Sequence, residues 1–234
     1  MHRSHNHQLA LYVASETRKP VFPVREKDHS YTVQNTGNLR TLRAKAPYTR
    51  NGFKDSTQDP ILIDALWRNN PNAAVGVPMG LESSLLGIDI DEGDGKSGEK
   101  TWKAHGLLLP ATVQTRTMSG GRHIFFKIPL EFPIRNSAST VFGPNIDVRG
   151  AGGYVVWAGS QMENGSYEFI EGCSPEENTF AEMPEAILDF FKRDNSKSSN
   201  ANITRGRVFL GNRNASLFQA SVKQVHAGLT DEAV

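Results

Sequence analysis

The chain has 234 residues, 38% hydrophobic and 22% charged, with a formal net charge of +1, a composition that fits an ordinary globular protein with one core or two small lobes. No apolar run approaches the roughly 18–20 residues that cross a bilayer, and the opening MHRSHNHQLALYVAS has too short an apolar segment and no small-residue cleavage site for a signal peptide. The single cysteine, Cys173, excludes an intrachain disulfide and a Cys-based zinc site, and its solitary use points to a reducing, cytoplasmic setting.

The chain opens with a short helix over residues 8–16, carrying Leu9, Leu11, Tyr12 and Val13, followed by PVFPV as a buried strand. Residues 28–58 are rich in Asn, Thr, Gly and Lys without periodicity, which predicts a long functional loop or ordered excursion. DPILIDALWRNN has Asp59 as N-cap and Pro60 at the first helical position, a helix start. AAVGVPMG and SSLLGIDID then read as a strand pair, and GEKTWKAHGLLL as a helix ending near Gly106. ATVQTRTM, RHIFFKI, NIDVRG, GYVVWAG and YEFI alternate as strands do, and PEAILDFFKR reads as a helix. DNSKSSNANITRG is a polar linker. The tail NASLFQASVKQVHAGLTDEAV begins a helical pattern with Leu217, Phe218, Val222 and Val225, and it stops inside that pattern, as the truncated start of a larger unit would.

Charge is distributed unevenly along this order. Residues 1–54 carry ten Lys/Arg against Glu16, Glu26 and Asp28, a balance of +7, which leaves −6 on the remainder. A basic front beside an acidic body suits a phosphate-rich partner, with a solvated basic surface as the plain alternative.

The chemistry concentrates in LLGIDIDEGDGKSG. GDGKSG imitates a phosphate-binding loop, but the Gly required five residues before Gly95 is Ile90, and GEK stands after the Lys-Ser pair where that motif wants its helix to begin. A calcium loop counted from Asp89 fails too, with Asp94 at its sixth position and Lys100 at its twelfth. What remains is Asp89–Ile90–Asp91 at the end of an apolar strand. Residues i and i+2 share a strand face, so the two carboxylates converge while Ile90 enters the core. They repel or share a proton unless a cation sits between them, and hard oxygen ligands suit Mg²⁺ or Mn²⁺. A strand-end turn with solvated acids is the structural alternative.

Two further motifs bear on that choice. In TMSGGRHIFFKI, Ser119, Gly120 and Gly121 let backbone N–H groups approach an anion, and His123 follows within reach of a phosphate oxygen; a glycine-rich turn with a half-buried histidine accounts for the same residues. In NIDVRGAGGYVVWAGS, Asp147 and Arg149 share a face opposite Ile146 and Val148. They form either a salt bridge or a third metal ligand beside a phosphate clamp. His2, His5 and His7 sit at an end expected to fray and are not read as a metal site.

LLGIDID, SGGRHIFF and NIDVRG, in this order, resemble the three motifs of the primase–polymerase (prim-pol) branch of the archaeo-eukaryotic primase superfamily. The likeness extends upstream through KAPYTRNGFKDST and NPNAAVGVPMG and downstream through GGYVVWAGS and NGSYEF, covering roughly residues 8–172. GNRNASLFQAS is similar to the opening of the helical domain that commonly follows such domains. A departure is VVWAGS, where relatives usually place a proline near Ala158.

The resemblance implies an α+β fold: an RRM-like catalytic sheet combined with an N-terminal α/β portion, followed by the start of a small helical C-terminal unit. The implied division is a catalytic domain over 1–194, a linker over 195–211 and a helical accessory unit from 212 to 234. It implies template-directed nucleotidyl transfer, with priming, extension or both on a single-stranded DNA template, a primer strand and (d)NTPs as substrates. Asp89, Asp91 and Asp147 would hold two Mg²⁺ or Mn²⁺ ions. Ser119, Gly120, Gly121, His123, Arg149 and Lys45 would hold the incoming nucleotide. The chain has no helicase motif, so unwinding is expected of a partner or of further sequence. The expected setting is the cytoplasm of a bacterial or archaeal cell, as for phage- or plasmid-encoded replication proteins. Two rivals are a metal-dependent nuclease or phosphoesterase on the same carboxylates and a non-catalytic single-strand binding module using the basic first 54 residues.

Overall fold

The computed structural model describes residues 3–129 and 134–193; the expected linker and C-terminal helical unit lie outside them. The first half runs α1 (His5–Glu16), β1 (Phe22–Val24), β2 (His29–Thr32), β3 (Leu39–Leu42), α2 (Pro60–Trp67), β4 (Ala74–Pro78) and β5 (Leu85–Ile90). Then come β6 (Glu92–Gly93), β7 (Lys96–Ser97), α3 (Gly98–Ala104), β8 (Gln114–Arg116), β9 (Arg122–Lys127), β10 (Ser137–Ala138) and β11 (Ile146–Arg149). The strands β12 (Tyr154–Val156), β13 (Gln161–Met162), β14 (Gly165–Ser166) and β15 (Glu168–Phe169) follow, and residues 185–193 are helical. The architecture is α+β.

Two antiparallel sheets carry the core. Three strands lie in the order β1-β4-β12, and six in the order β10-β11-β5-β9-β8-β15. β5 is buried along its whole length, and its alternating side chains serve two cores. Leu86, Ile88 and Ile90 pack with Ile124, Phe126, Ile146 and Val148 against Trp102 of α3 and against Ile187 and Phe191. On the opposite face Leu85 joins Phe125, Val75 and Val77 in the core under α1 and α2. Asp89 is on that second face, so the carboxylate motif is held where the two sheets come together.

Local chemistry explains the helices that brace this arrangement. In α2 the Asp59 carboxylate accepts from the Ile61 N–H at 2.8 Å and Pro60 stands at the start, as the sequence predicts. Ile63 and Trp67, four residues apart, are its buried face. The N-terminus is not frayed from residue 3 onward. Ser4 caps α1, the His5 ring reaches Gly159 O and the His7 ring Asp64, each at 2.8 Å. Two of the three early histidines thus secure a helix.

Two strand-level expectations change. AAVGVPMG and SSLLGIDID are both strands but are not partners: β4 pairs with β1 and β12, and β5 with β11 and β9. A bend between Gly80 (φ +101°) and Ser84 (φ +59°) carries the chain from one sheet to the other. Residues 28–58 hold a two-stranded ribbon, β2–β3, and a 3₁₀ turn at Gly52–Asp55. Among the described residues no helix is long and apolar enough to cross a membrane.

Candidate active site

Strand register builds the site. Asp89 on β5 stands opposite Asp147 on β11 on one side and His123 on β9 on the other, so three residues separated widely in sequence form a single rung. Opposed residues in antiparallel strands project to the same face with Cβ atoms about 4.5–5.5 Å apart. Asp91 lies one step past the end of β5, its N–H donated to Asn145 O at 2.9 Å, which extends the ladder. The predicted convergence of the motif residues is therefore produced by cross-strand pairing as much as by the i, i+2 spacing.

A cavity of about 430 Å³ opens over this rung, within the range of small-molecule sites. Asp89, Asp91, Asp147, Ser119, His123, Arg149 and Lys45 all line it. Arg149 lies between two acids: Nε and Nη2 donate to Asp89 Oδ2 at 3.0 and 2.7 Å, and Nη2 also reaches Asp147 Oδ2 at 3.0 Å. The His123 ring nitrogen Nε2 lies 3.3 Å from Asp89 Oδ1. Burial alone would raise the Asp89 carboxyl, but His123 and Arg149 outweigh it and hold Asp89 well below the usual carboxylate range. Asp147 moves the other way: burial lifts it, and the negative neighbours Asp89 and Asp91 add to the rise against the pull of Arg149. One guanidinium serves two carboxylates unequally, and the acid with two of its hydrogen bonds stays ionised more readily.

The glycine turn is more structural than an anion nest. Gly120 (φ +91°) donates its N–H to Thr117 O at 3.0 Å, and Thr117 N–H closes the turn on Gly121 O at 2.8 Å. A Cβ on Gly121 would stand 2.3 Å from Ile90 O, so this glycine lets the turn lie against the DxD strand end. Neither glycine lines the cavity; Ser119 and Thr117 do, with their hydroxyls 3.1 Å apart. Lys45 holds φ +70°, and its carbonyl accepts from the Tyr154 hydroxyl at 3.1 Å. Its amine sits 5.6 Å from the centroid of the Tyr167 ring, which stacks on His123 at 5.9 Å. His123 Nδ1 and Thr115 Oγ1, neighbours on the rung, are buried without hydrogen-bond partners.

A charged side chain of the cavity escaped the sequence reading. Lys96, from the discarded GDGKSG stretch, lines the cavity and donates to Asp91 Oδ2 at 2.8 Å. Its signal was the Asp94–Gly95 dipeptide: both residues have positive φ (+50° and +81°), and they turn β6 directly back into β7, as Asp-Gly does in two-residue hairpins. Tyr154, Tyr167 and Asn136 also line the cavity and carried no sequence signal.

Among the described residues no three His, Cys, Asp or Glu side chains stand as a ready-made ion-binding group. The donor chemistry nonetheless fits a hard divalent cation: three carboxylates around one cavity, here paired with the two cations Arg149 and Lys96. A family model described as "Bifunctional DNA primase/polymerase, N-terminal" matches residues 10–186. No curated protein matches the chain.

Proposed function

Since this chain belongs to the Prim-Pol family of bifunctional DNA primase/polymerases, we propose that it adds (d)NTPs to a primer 3′-hydroxyl, or starts chains de novo, on a single-stranded DNA template. One observation carries this reading: the Asp147–Asp89–His123 rung with Asp91 beside it, under a cavity ringed by Lys45, Lys96 and Arg149. A triphosphate brings several negative charges, and that cavity offers three cations and the Thr117 and Ser119 hydroxyls to meet them. Ser119, His123 and Lys45 would hold phosphate oxygens, with Arg149 and Lys96 turning from the carboxylates to the nucleotide. Asp89, Asp91 and Asp147, so released, would hold Mg²⁺ or Mn²⁺, which when bound supplies Lewis-acid stabilisation of the phosphate oxygens. The 3′-hydroxyl oxygen would then form its bond to the α-phosphorus, giving up its proton to solvent, as the bond to pyrophosphate breaks. The residues of this chain contribute mainly alignment, which can account for much of the acceleration of such a step.

The central four strands of the large sheet also support an RRM-like reading. They run β11-β5-β9-β8, which is fourth, first, third, second in chain order, all antiparallel, with α3 joining the first to the second. Unwinding would come from a helicase partner.

The test is incubation with single-stranded DNA, labelled nucleotides and Mg²⁺ or Mn²⁺, resolved on a gel. Incorporation that disappears in Asp89→Asn and Asp91→Asn is the expected result. Shortened DNA without incorporation would favour the nuclease, and binding that ignores divalent metal, without incorporation, the binding module.

A further inference from the structure

Outside the cavity, the most conspicuous unpartnered surface is the β2–β3 ribbon. It forms a sheet of its own with four paired rungs, and seven of its eight strand residues are exposed. An isolated two-stranded ribbon is marginally stable in water, so one projecting without a core suggests a partner. Its two faces differ. Opposed residues share a face, which places His29, Tyr31, Arg40 and Leu42 on one side and Ser30, Thr32, Leu39 and Thr41 on the other. On the first face the His29 and Tyr31 rings lie nearly parallel, 6.4 Å apart and 22° between planes, and Arg40 stands opposite Tyr31. The second face is closed by a Ser30–Thr41 hydroxyl contact at 2.8 Å.

Charge selects the partner. Residues 25–54 carry seven Lys/Arg against two acids, Glu26 and Asp28, and Arg43 is paired with Asp28 at 2.8 Å. Aromatic faces interleaved with cations match a single-stranded nucleic acid, whose bases present π-faces and whose backbone presents phosphates. The ribbon is also joined to the catalytic cavity. Its two legs are tied by Lys45 N–H to Arg25 O at 2.7 Å and Arg25 N–H to Ala46 O at 2.8 Å, and Lys45 lines the cavity. The base of the ribbon thus adjoins the cavity through Lys45.

We propose that the His29–Tyr31–Arg40–Leu42 face is the docking surface for the single-stranded DNA template on its way to the cavity. This rests on the template-directed reading above and adds the surface that holds the template. Stacking supplies sequence-tolerant grip, and Arg40 supplies a backbone contact that salt weakens.

The test is fluorescence anisotropy of a labelled single-stranded oligothymidylate against the full chain, without nucleotide or metal. It compares wild type with Tyr31→Ala, Arg40→Ala and the double variant. Both side chains are exposed, so unchanged melting temperatures are expected to confirm folding. The double variant should bind at least about tenfold more weakly, and Arg40→Ala should lower the slope of log affinity against log salt by about 0.7. Binding of labelled nucleotide should not change. A double variant that binds single-stranded DNA within twofold of wild type overturns the ribbon as docking surface, even where wild type incorporates nucleotides. A loss confined to duplex DNA also overturns it. Wild type that neither binds single-stranded DNA nor incorporates nucleotides removes the template-directed reading itself.

Discussion

Arg149 donates two hydrogen bonds to one oxygen of Asp89, from Nε at 3.0 Å and from Nη2 at 2.7 Å. Asp89 is almost fully buried, and the nearest opposed acid is Asp147 on the same rung. The guanidinium is thus the counter-charge that lets two carboxylates face each other between two sheets. In the proposed reaction the nucleotide would compete for it.

Arg149→Ala should expose that dependence. Removing one member of a buried ion pair leaves the other uncompensated, a loss on the order of 3 kcal/mol here. Millimolar Mg²⁺ should restore more melting temperature to the variant than it adds to wild type, because a second cation relieves the same repulsion. Melting curves with and without Mg²⁺ measure both quantities. Equal responses would show that Asp89 does not depend on Arg149.

Asp147→Asn should separate stability from chemistry. The folded Asp147 value lies above its unfolded one, near 3.9 for a free aspartate. Keeping the group ionised at neutral pH therefore costs stability, and the cost disappears as pH falls through the raised value. The variant should melt at or above wild type at pH 7, with the difference closing in acid, while nucleotide incorporation is lost. Asp89 has the opposite sign: its depressed value stabilises the fold fully above about pH 4, and that contribution is lost progressively as the pH falls from there into strong acid. Melting temperature against pH for wild type and Asp147→Asn checks the first sign.

Lys96→Met should leave the fold nearly unchanged, since its pair with Asp91 is largely solvated and such pairs contribute at most about 1 kcal/mol. The nucleotide should nevertheless bind several-fold more weakly, because one of three cavity cations is gone. Steady-state kinetics should show the change mainly in KM. A change in kcat alone would place Lys96 on the reacting atoms instead.

Gly121→Ala and Gly120→Ala should differ although the glycines are adjacent. Gly120 needs its positive φ but has open space around it, so alanine costs about 1–2 kcal/mol of backbone strain. At Gly121 the new methyl meets the Ile90 carbonyl, and either the turn or the DxD strand end must move. Urea unfolding should rank Gly121→Ala as the more damaging, and incorporation should fall further in that variant than its stability alone predicts.

Features carried by local sequence were legible: the Asp59–Pro60 helix start, the alternation in RHIFFKI and NIDVRG, and the clustering of acids at the end of LLGID. Non-local pairing was not. Nothing within AAVGVPMG or SSLLGIDID specifies that they enter different sheets, since both are short apolar runs and each finds its partners elsewhere in the chain. The opposition of His123 to Asp89 likewise depends on register across two strands about thirty residues apart in sequence. Arg149 could have served phosphate or carboxylate on sequence grounds, and only the rung geometry places it on Asp89 and Asp147. Lys96 was legible and overlooked: Asp94–Gly95 marks a tight reversal, which sets a lysine back beside the aspartate five residues before it.

The position of β5 has a kinetic consequence. Flanked by β9 and β11 and covered on both faces, it is the strand whose amides should exchange with deuterium only through global opening, whereas the solvent-facing β2–β3 ribbon should exchange through cheap local fluctuations. The molecule thus joins its slowest-opening segment to one of its fastest. On warming, grip on a docked strand would fade by local melting while the carboxylate rung stayed assembled, so that processivity would decline at a lower temperature than single-nucleotide addition.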